Sequence, residues 1–189
     1  LSRGLGDVYK RQLKELIEHD DVDVIISAIS GFAGLKATYL ASSTGKKILL
    51  ANKESIVAGG DLITARAKKF NSKIIPIDSE HNAIFQCLSG ERSPDDVQNI
   101  TITASGGPFI GKKISDLKDV TKDDALNHPN WDMGSKISID SATLVNKCLE
   151  LIEAKYLFDL EESIFDLVIH PQSIVPVSYT HLTLPTILL

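Results

Sequence analysis

From Val22 to Ile29 the chain runs through β-branched apolar residues and stops at Ser30-Gly31, the pattern of a buried strand ended by a turn. Phe32 to Ser43 then reads as a helix, Lys47 to Ala51 as a second strand and Lys73 to Ile77 as a third. Between the last two, Ile56, Ala58, Leu62, Ile63, Ala65 and Phe70 recur at helical intervals, which predicts a helix over 56–70. Strands and helices that alternate with short links imply right-handed crossovers and a parallel sheet. Ligands of such sheets bind beyond the carboxyl ends of the strands. Those ends carry Ser30-Gly31, Asn52-Lys53-Glu54 and Asp78-Ser79-Glu80, so the polar residues of this half are expected to gather in one crevice.

After Asp78 the rhythm changes. Ala83 to Leu88 looks helical, and Asn99 to Ala104 is a strand closing on Ser105-Gly106-Gly107-Pro108. Residues 111–136 read as irregular and polar, with His128-Pro129-Asn130-Trp131 among them. Lys136 to Ile139 reads as a short strand, Ser141 to Phe158 as one long helix, and Asp166 to Ile169 as a final strand before His170-Pro171. Leu144, Val145, Cys148, Leu149 and Ile152 form the long helix's expected apolar stripe. A domain boundary is placed near residue 78.

Composition narrows the picture. At 43% hydrophobic and 24% charged the chain is ordinary globular material, and its net charge of −5 argues against a nucleic-acid-binding surface. No apolar run approaches the roughly eighteen residues of a membrane-spanning helix. Cys87 and Cys148 are isolated, which argues against a disulfide scaffold and fits a reducing, cytosolic setting. Both are expected to be small buried hydrophobes. The ends read differently. Asp7-Val8-Tyr9-Lys10-Arg11-Gln12 and Val177-Ser178-Tyr179-Thr180-His181 back-translate into strings related by reverse complementarity, and the string resembles a transposon end used in sequencing libraries. Residues 1–12 and 177–189 are therefore expected to be adapter read-through and no part of the native fold. The same reasoning leaves the native residue at 176 open.

Three groups of residues invite chemistry. Asp78 and Glu80 lie two apart at a strand end, so an extended backbone points both carboxylates one way. Hard oxygens of this kind suit Mg²⁺ or Mn²⁺; equally, Asp78 or Ser79 could cap the next helix with Glu80 in its first turn. Asn146 and Glu150 share a helix face with Lys147 beside it. Amide, ammonium and carboxylate together suit an anionic, hydroxylated ligand with a metal, and the plainer reading is a solvated Lys-Glu surface. Ser105-Gly106-Gly107 after a strand lets backbone N–H groups approach an anion, or makes a simple turn. Trp131, the only tryptophan, would serve as a lid or as a buried anchor.

Taken in order, the strings Ala51-Asn52-Lys53-Glu54-Ser55, Asp78-Ser79-Glu80-His81-Asn82, Ala104-Ser105-Gly106-Gly107-Pro108, His128-Pro129-Asn130-Trp131, Asp140-Ser141-Ala142-Thr143, Asn146-Lys147, Leu149-Glu150 and His170-Pro171-Gln172-Ser173 closely resemble the 1-deoxy-D-xylulose 5-phosphate reductoisomerase family. The resemblance spans 13–176. It implies an α/β fold: the C-terminal half of a Rossmann-like parallel-sheet NADPH domain over 13–77, then an α+β catalytic domain over 78–176, incomplete at both ends. It implies metal ligation by Asp78, Glu80 and Glu150, with Mg²⁺, Mn²⁺ or Co²⁺ as the ion. Substrate contacts would come from Lys53, Ser79, Glu80, Ser105, His128, Trp131, Ser141, Asn146, Lys147 and Glu150. Among them Lys53, Glu80 and His128 would be catalytic, and Ser105, Ser141, Asn146 and Lys147 would grip the substrate phosphate. Asn52, Glu54 and Gly134 would contact NADPH, and Trp131 with Met133 would cover the site. A sugar-phosphate substrate, a homodimer and a bacterial cytoplasmic setting follow, with a plastid also open. The family's opening glycine-rich fingerprint is absent, so the chain by itself is expected not to turn over. Pro176 stands where the family usually has His. The alternative parent is a homoserine-dehydrogenase-type enzyme, which lacks the combined motifs.

Overall fold

A computed structural model describes residues 11–89, 97–175 and 177–181. The chain forms two compact units, Leu1–Phe85 with Ile152–Leu160, and Gln86–Leu151 with Glu161–Leu189.

The first unit begins with helix α1 (11–18), then strand β1 (Val24–Ser27), a 3₁₀ turn (Gly31–Gly34) leading into α2 (Leu35–Ala41), β2 (Lys47–Leu50), α3 (Lys53–Phe70), β3 (Lys73–Pro76) and α4 (Ser79–Leu88). The sheet order is β1-β2-β3 and every pairing is parallel, as the alternating pattern predicts. The middle strand carries the core: Ile48 and Leu50 are buried, backed by Ile56 and Ile63 of α3 and Ala41 of α2. The strand expected to be buried over Val22–Ile29 is shorter and half open, with Val24 and Ile26 exposed, because β1 has one strand neighbour in this sheet. The expected Phe32–Ser43 helix is also shorter. Ser42, Ser43 and Thr44 each donate a side-chain hydroxyl to the carbonyl three residues back, which competes with helix continuation. The α3 helix starts three residues earlier than expected. Asn52 caps it by accepting from the Ser55 N–H at 2.8 Å, and Asn71 ends it with φ 57°. Gly60 lets the Tyr156 ring approach: a Cβ there would meet the ring at 2.5 Å.

In the second unit β4 (Val97–Ala104) lies between β5 (Phe165–Ile169), parallel to it, and β6 (Val177–His181), antiparallel. Ile100 and Ile102 of β4 are fully buried. The β6 strand falls on residues expected to be adapter sequence; an open strand edge pairs through backbone groups, which any extended segment supplies. Helices α5 (Lys122–Leu126), α6 (Ser135–Ala142) and the first half of α7 (Val145–Phe158) complete the unit, and α7 passes into the first unit after Leu151.

Five expectations are corrected here. Residues 111–136 hold more order than expected, including a 3₁₀ turn (Ile114–Leu117) and α5, capped by Thr121. Lys136–Ile139 is helical: Ile-Ser-Ile alternates like a strand, but the buried positions of α6 are Ser138 and Ala142, four apart. Small residues define that face, so apolar periodicity points the wrong way. The expected Ser141–Phe158 helix is two helices. The Thr143 hydroxyl donates to the Ile139 carbonyl at 3.0 Å, and Leu144 turns into the left-handed region at φ 60°. Finally, the expected apolar stripe of α7 is largely exposed at Leu144, Val145, Cys148 and Ile152, while Lys147, Glu150, Glu153 and Ala154 are buried. Cys148 is therefore exposed and Cys87 half-buried, not core residues. Compactness divides the chain after Phe85, a different line from the functional boundary expected near residue 78.

Candidate functional site

The parallel sheet of the first unit delivers its polar loops to one end. Asn52, buried at the start of α3, donates its side-chain amide to the carbonyls of Ile29 (2.6 Å) and Gly31 (3.0 Å) and to Glu54 (3.0 Å). Its oxygen accepts from the Ser55 N–H and hydroxyl. Asn52 thereby fixes the loop beyond β1 onto the loop beyond β2, and its amide is committed to that task. Lys53 follows at the first turn, buried, with Nζ 3.4 Å from Oδ2 of Asp78 beyond β3.

Asp78 carries several roles at once. It caps α4, accepting from the His81 N–H at 3.0 Å on Oδ1, so the capping reading of this motif holds. The same carboxylate receives the His81 ring Nδ1 at 2.8 Å on each oxygen. Burial pushes its carboxyl up, but the hydrogen bond and charge of His81, with the charge of Lys53, outweigh that and hold it below the ordinary carboxylate range. Glu80, in the first turn of α4, accepts from the Ser79 hydroxyl at 2.5 Å. Carboxylate oxygens of Asp78 and Glu80 approach within 4.8 Å of each other. Two hard anionic oxygen donors at this separation fit a divalent cation such as Mg²⁺ or Mn²⁺.

In the second unit the strand end of β4 faces the junction of α6 and α7. A small pocket of about 10 Å³, room for one water-sized sphere, is lined by Ala104, Ser105, Gly106, Ser141, Leu144, Asn146 and Lys147. Four residues expected at one anion, Ser105, Ser141, Asn146 and Lys147, thus meet around one space. Gly107 makes the packing possible, since at φ 67° a Cβ would stand 2.9 Å from the Ser141 carbonyl oxygen. The left-handed Leu144 starts α7 afresh, and the first bond of the helix runs from the Cys148 N–H to the Leu144 carbonyl. The N–H groups of 145–147 precede that bond, at the positive end of the helix dipole, and no acidic residue sits in the first turn. Glu150, 1% exposed, receives the Lys147 ammonium at 2.6 Å and the Asn146 amide at 2.5 Å. The solvated-surface reading of Lys147 and Glu150 therefore fails.

His128 lies beside this cavity's wall. Its Nδ1 accepts from the backbone N–H groups of Asn130 and Trp131, each at 3.2 Å, so the hydrogen is on Nε2, 2.9 Å from the Ser105 hydroxyl. Burial lowers its pKa and favours this neutral form. Asn130 ties the same segment to the Pro171 carbonyl at 2.9 Å, while Trp131 is 55% exposed. Trp131 is therefore no buried anchor. Gly134 precedes α6 and accepts the Ser138 N–H on its carbonyl, and Met133 is half-buried beside it; neither lines the cavity. Sequence reading gave no role to His81 or Glu153, both fully or nearly fully buried. The signal was present: Glu153 lies one helical turn after Glu150, and His81 is the third residue of the helix Asp78 caps.

Comparison with known proteins points one way. The model of the 1-deoxy-D-xylulose 5-phosphate reductoisomerase family matches residues 7–60, and that of the same enzyme's C-terminal domain matches 74–158. The reductoisomerase of Chloroherpeton thalassium is 54% identical over 163 residues, 86% of this chain and 42% of its own length. That of Francisella tularensis subsp. novicida is 52% identical over 157 residues, 82% of this chain and 41% of its own. Among solved structures, a DOX-P reductoisomerase in complex with NADPH, fosmidomycin and magnesium superposes with TM-score 0.86 at 44% identity, over 95% of this chain and 48% of that one. The enzyme from Zymomonas mobilis in complex with NADPH gives 0.82 at 44% identity, over 91% and 44%. The chain thus spans less than half the length of the relatives it matches.

Proposed function

The chain belongs to the 1-deoxy-D-xylulose 5-phosphate reductoisomerase family, and on that premise we propose that it supplies the metal- and phosphate-binding residues of an enzyme that isomerises and reduces 1-deoxy-D-xylulose 5-phosphate to 2-C-methyl-D-erythritol 4-phosphate with NADPH. The observation that carries the reading is the cavity where Ser105, Ser141, Asn146 and Lys147 converge on the start of α7. Two hydroxyls, an amide, an ammonium and a helix N-terminus are the donors a phosphate monoester requires.

In this reading Asp78, Glu80 and Glu150 hold one divalent cation, Mg²⁺ or Mn²⁺. When bound, that cation supplies Lewis-acid polarisation of the ketose oxygens, and NADPH supplies the hydride. The protein's own part is orientation and charge. Lys53 brings a buried positive charge beside Asp78, suited to the substrate's oxygens. Ser79, next to Glu80, offers a hydroxyl at the same strand end. His128, neutral, donates from Nε2. Gripping the phosphate away from the reacting carbons fixes the substrate's pose, so binding energy is converted into orientation. The segment of His128, Trp131 and Met133 covers the bound substrate and excludes water. Asn52, Glu54 and Gly134 serve NADPH, Asn52 by shaping the loop beyond β1. The functional division then falls near residue 78, with cofactor binding before it and substrate chemistry after it. The whole enzyme is proposed as a homodimer in a reducing compartment, in keeping with the exposed Leu167, Val168 and Ile169 of β5 and the two free thiols. Among the described residues no helix is long and apolar enough to cross a membrane.

The test is made on a full-length enzyme that carries this segment. NADPH oxidation should depend on the deoxyxylulose phosphate and on Mg²⁺ or Mn²⁺, stop in chelator, and fall by at least about a hundredfold in Glu150→Gln, the scale of losing a charge-stabilising group. Full activity in chelator sinks the metal assignment. The 189-residue chain alone is expected to show no turnover.

A further inference from the structure

We propose that His81, held by Glu153 and Phe158, is a positioning residue for the Asp78 carboxylate and that this buried assembly sets the centre's affinity for its divalent cation. The inference rests on the metal reading above but concerns residues that reading leaves idle.

His81 is fully buried at the third position of α4. It grips Asp78 twice, through its backbone N–H at 3.0 Å and through Nδ1 at 2.8 Å from both oxygens. Oδ1 thus takes two donors from one residue, and Oδ2 lies between Nδ1 and the Lys53 ammonium at 3.4 Å. The carboxylate cannot rotate without breaking one of these bonds. The same Nδ1 stands 3.6 Å from Oε2 of Glu153, so it faces carboxylate oxygens and carries a hydrogen. The Phe158 ring lies nearly parallel to the imidazole, with 6.3 Å between centroids and 9° between planes.

Glu153 is the telling residue. It is 2% exposed on the second half of α7. A buried carboxylate costs several kcal/mol of desolvation, and a Leu or Met at this position would pack a helix more cheaply. Its proximity to His81 gives the charge a purpose. Glu153 and Asp78 flank the same imidazole nitrogen, so the outer carboxylate keeps the hydrogen on Nδ1 and the ring turned toward the ligand, as outer groups do when they fix the orientation of a metal's donors. One helix therefore carries Glu150 and, one turn on, the residue that steadies the imidazole on Asp78. The three side chains Asp78, His81 and Glu153 also lie close enough to hold an ion themselves. An Nδ1 bound to metal would surrender both 2.8 Å bonds to Asp78, and the experiment separates the two arrangements.

Mn²⁺ binding to a full-length enzyme carrying this segment is measured by electron paramagnetic resonance, without substrate or turnover. The unsubstituted enzyme should bind Mn²⁺ through oxygen donors, and Asp78→Asn should abolish binding; if Asp78→Asn binds normally, the metal reading itself fails. His81→Phe keeps a ring against Phe158 but removes the donor, and should weaken Mn²⁺ about 10–100-fold. His81→Asn returns an N–H near the Nδ1 position and should recover much of that loss. Glu153→Gln keeps the shape and removes the charge, and should weaken Mn²⁺ about tenfold. Folded His81→Phe or Glu153→Gln binding Mn²⁺ as tightly as the parent overturns the proposal, as does nitrogen coupling to Mn²⁺ in the parent. If His81→Phe does not fold, Glu153→Gln decides alone.

Discussion

The end of β3 and the junction before α7 solve opposite problems with the same local architecture, a turn feeding a helix. Beyond β3, the residue just before α4 is an acid that caps the helix: Asp78 accepts the His81 N–H, and Glu80 sits in the first turn. The positive helix end is neutralised from within, and the site presents carboxylates suited to a cation. Before α7, Leu144 takes a left-handed conformation with no capping side chain, and the first turn is Val-Asn-Lys with no acid. That helix end keeps its positive character and presents it with Lys147, Ser105 and Ser141 to the small cavity. Helix N-termini favour anions by default. The difference teaches that one carboxylate at the cap position is enough to invert what the motif attracts.

The largest break in this comparison comes from Lys147→Ala. Lys147 and Glu150 are 8% and 1% exposed in their side chains and 2.6 Å apart. Removing one member of a buried pair strands the other and costs about 3–5 kcal/mol. Chemical denaturation should show a loss of that order, together with a substrate KM raised by about a hundredfold or more as the phosphate loses its ammonium. The double variant Lys147→Met with Glu150→Gln should recover most of the stability but none of the phosphate affinity. If the single variant is as stable as the parent, the pair is not buried as described.

That pair also shows where sequence reading reached its limit. Its residue types and spacing were legible, because Asn146, Lys147 and Glu150 are fixed by helical geometry within one turn. The parallel order of β1, β2 and β3 was legible for the same kind of reason: alternating elements with short links leave one handedness. What failed depended on partners. Ile137 and Ile139 imitate a strand, and only the close packing at Ser138 and Ala142 makes α6 a helix. The exposed Val145 and Ile152 on α7 reverse the rule that apolar faces turn inward, because its buried face belongs largely to charged groups. His81 escaped notice because its meaning lies in Glu153, far away along the chain.

A middle-sized effect separates the two jobs of Asp78. Asparagine is as good a helix cap as aspartate, so Asp78→Asn should lose Mn²⁺ while keeping the cap bond to His81. Asp78→Ala should lose both, with about 1 kcal/mol more instability than Asp78→Asn from the cap alone. Equal stability of the two variants would show that the cap bond contributes nothing and that the opposition between the two helix starts rests on charge only.

The smallest expected effect concerns the anion side, through His128. Burial lowers its pKa below the ordinary histidine value of 6.5, so the unfolded chain takes up a proton before the folded one as pH falls. The stability it contributes is complete above about pH 7 and is lost progressively as pH drops through 6.5 toward the lower folded value. Protonation also fills Nδ1, the atom that accepts the Asn130 and Trp131 N–H groups. Those two amides should therefore exchange faster below pH 6.5, after correction for intrinsic exchange rates, than at pH 7.5. His128→Asn places a non-titrating oxygen near the Nδ1 position and should flatten that dependence, although it loses the bond to Ser105. The cation side predicts no matching response at these amides, since Asp78 is held below the ordinary carboxylate range. A flat exchange profile in the parent would mean that the Trp131 segment is held by something other than this imidazole.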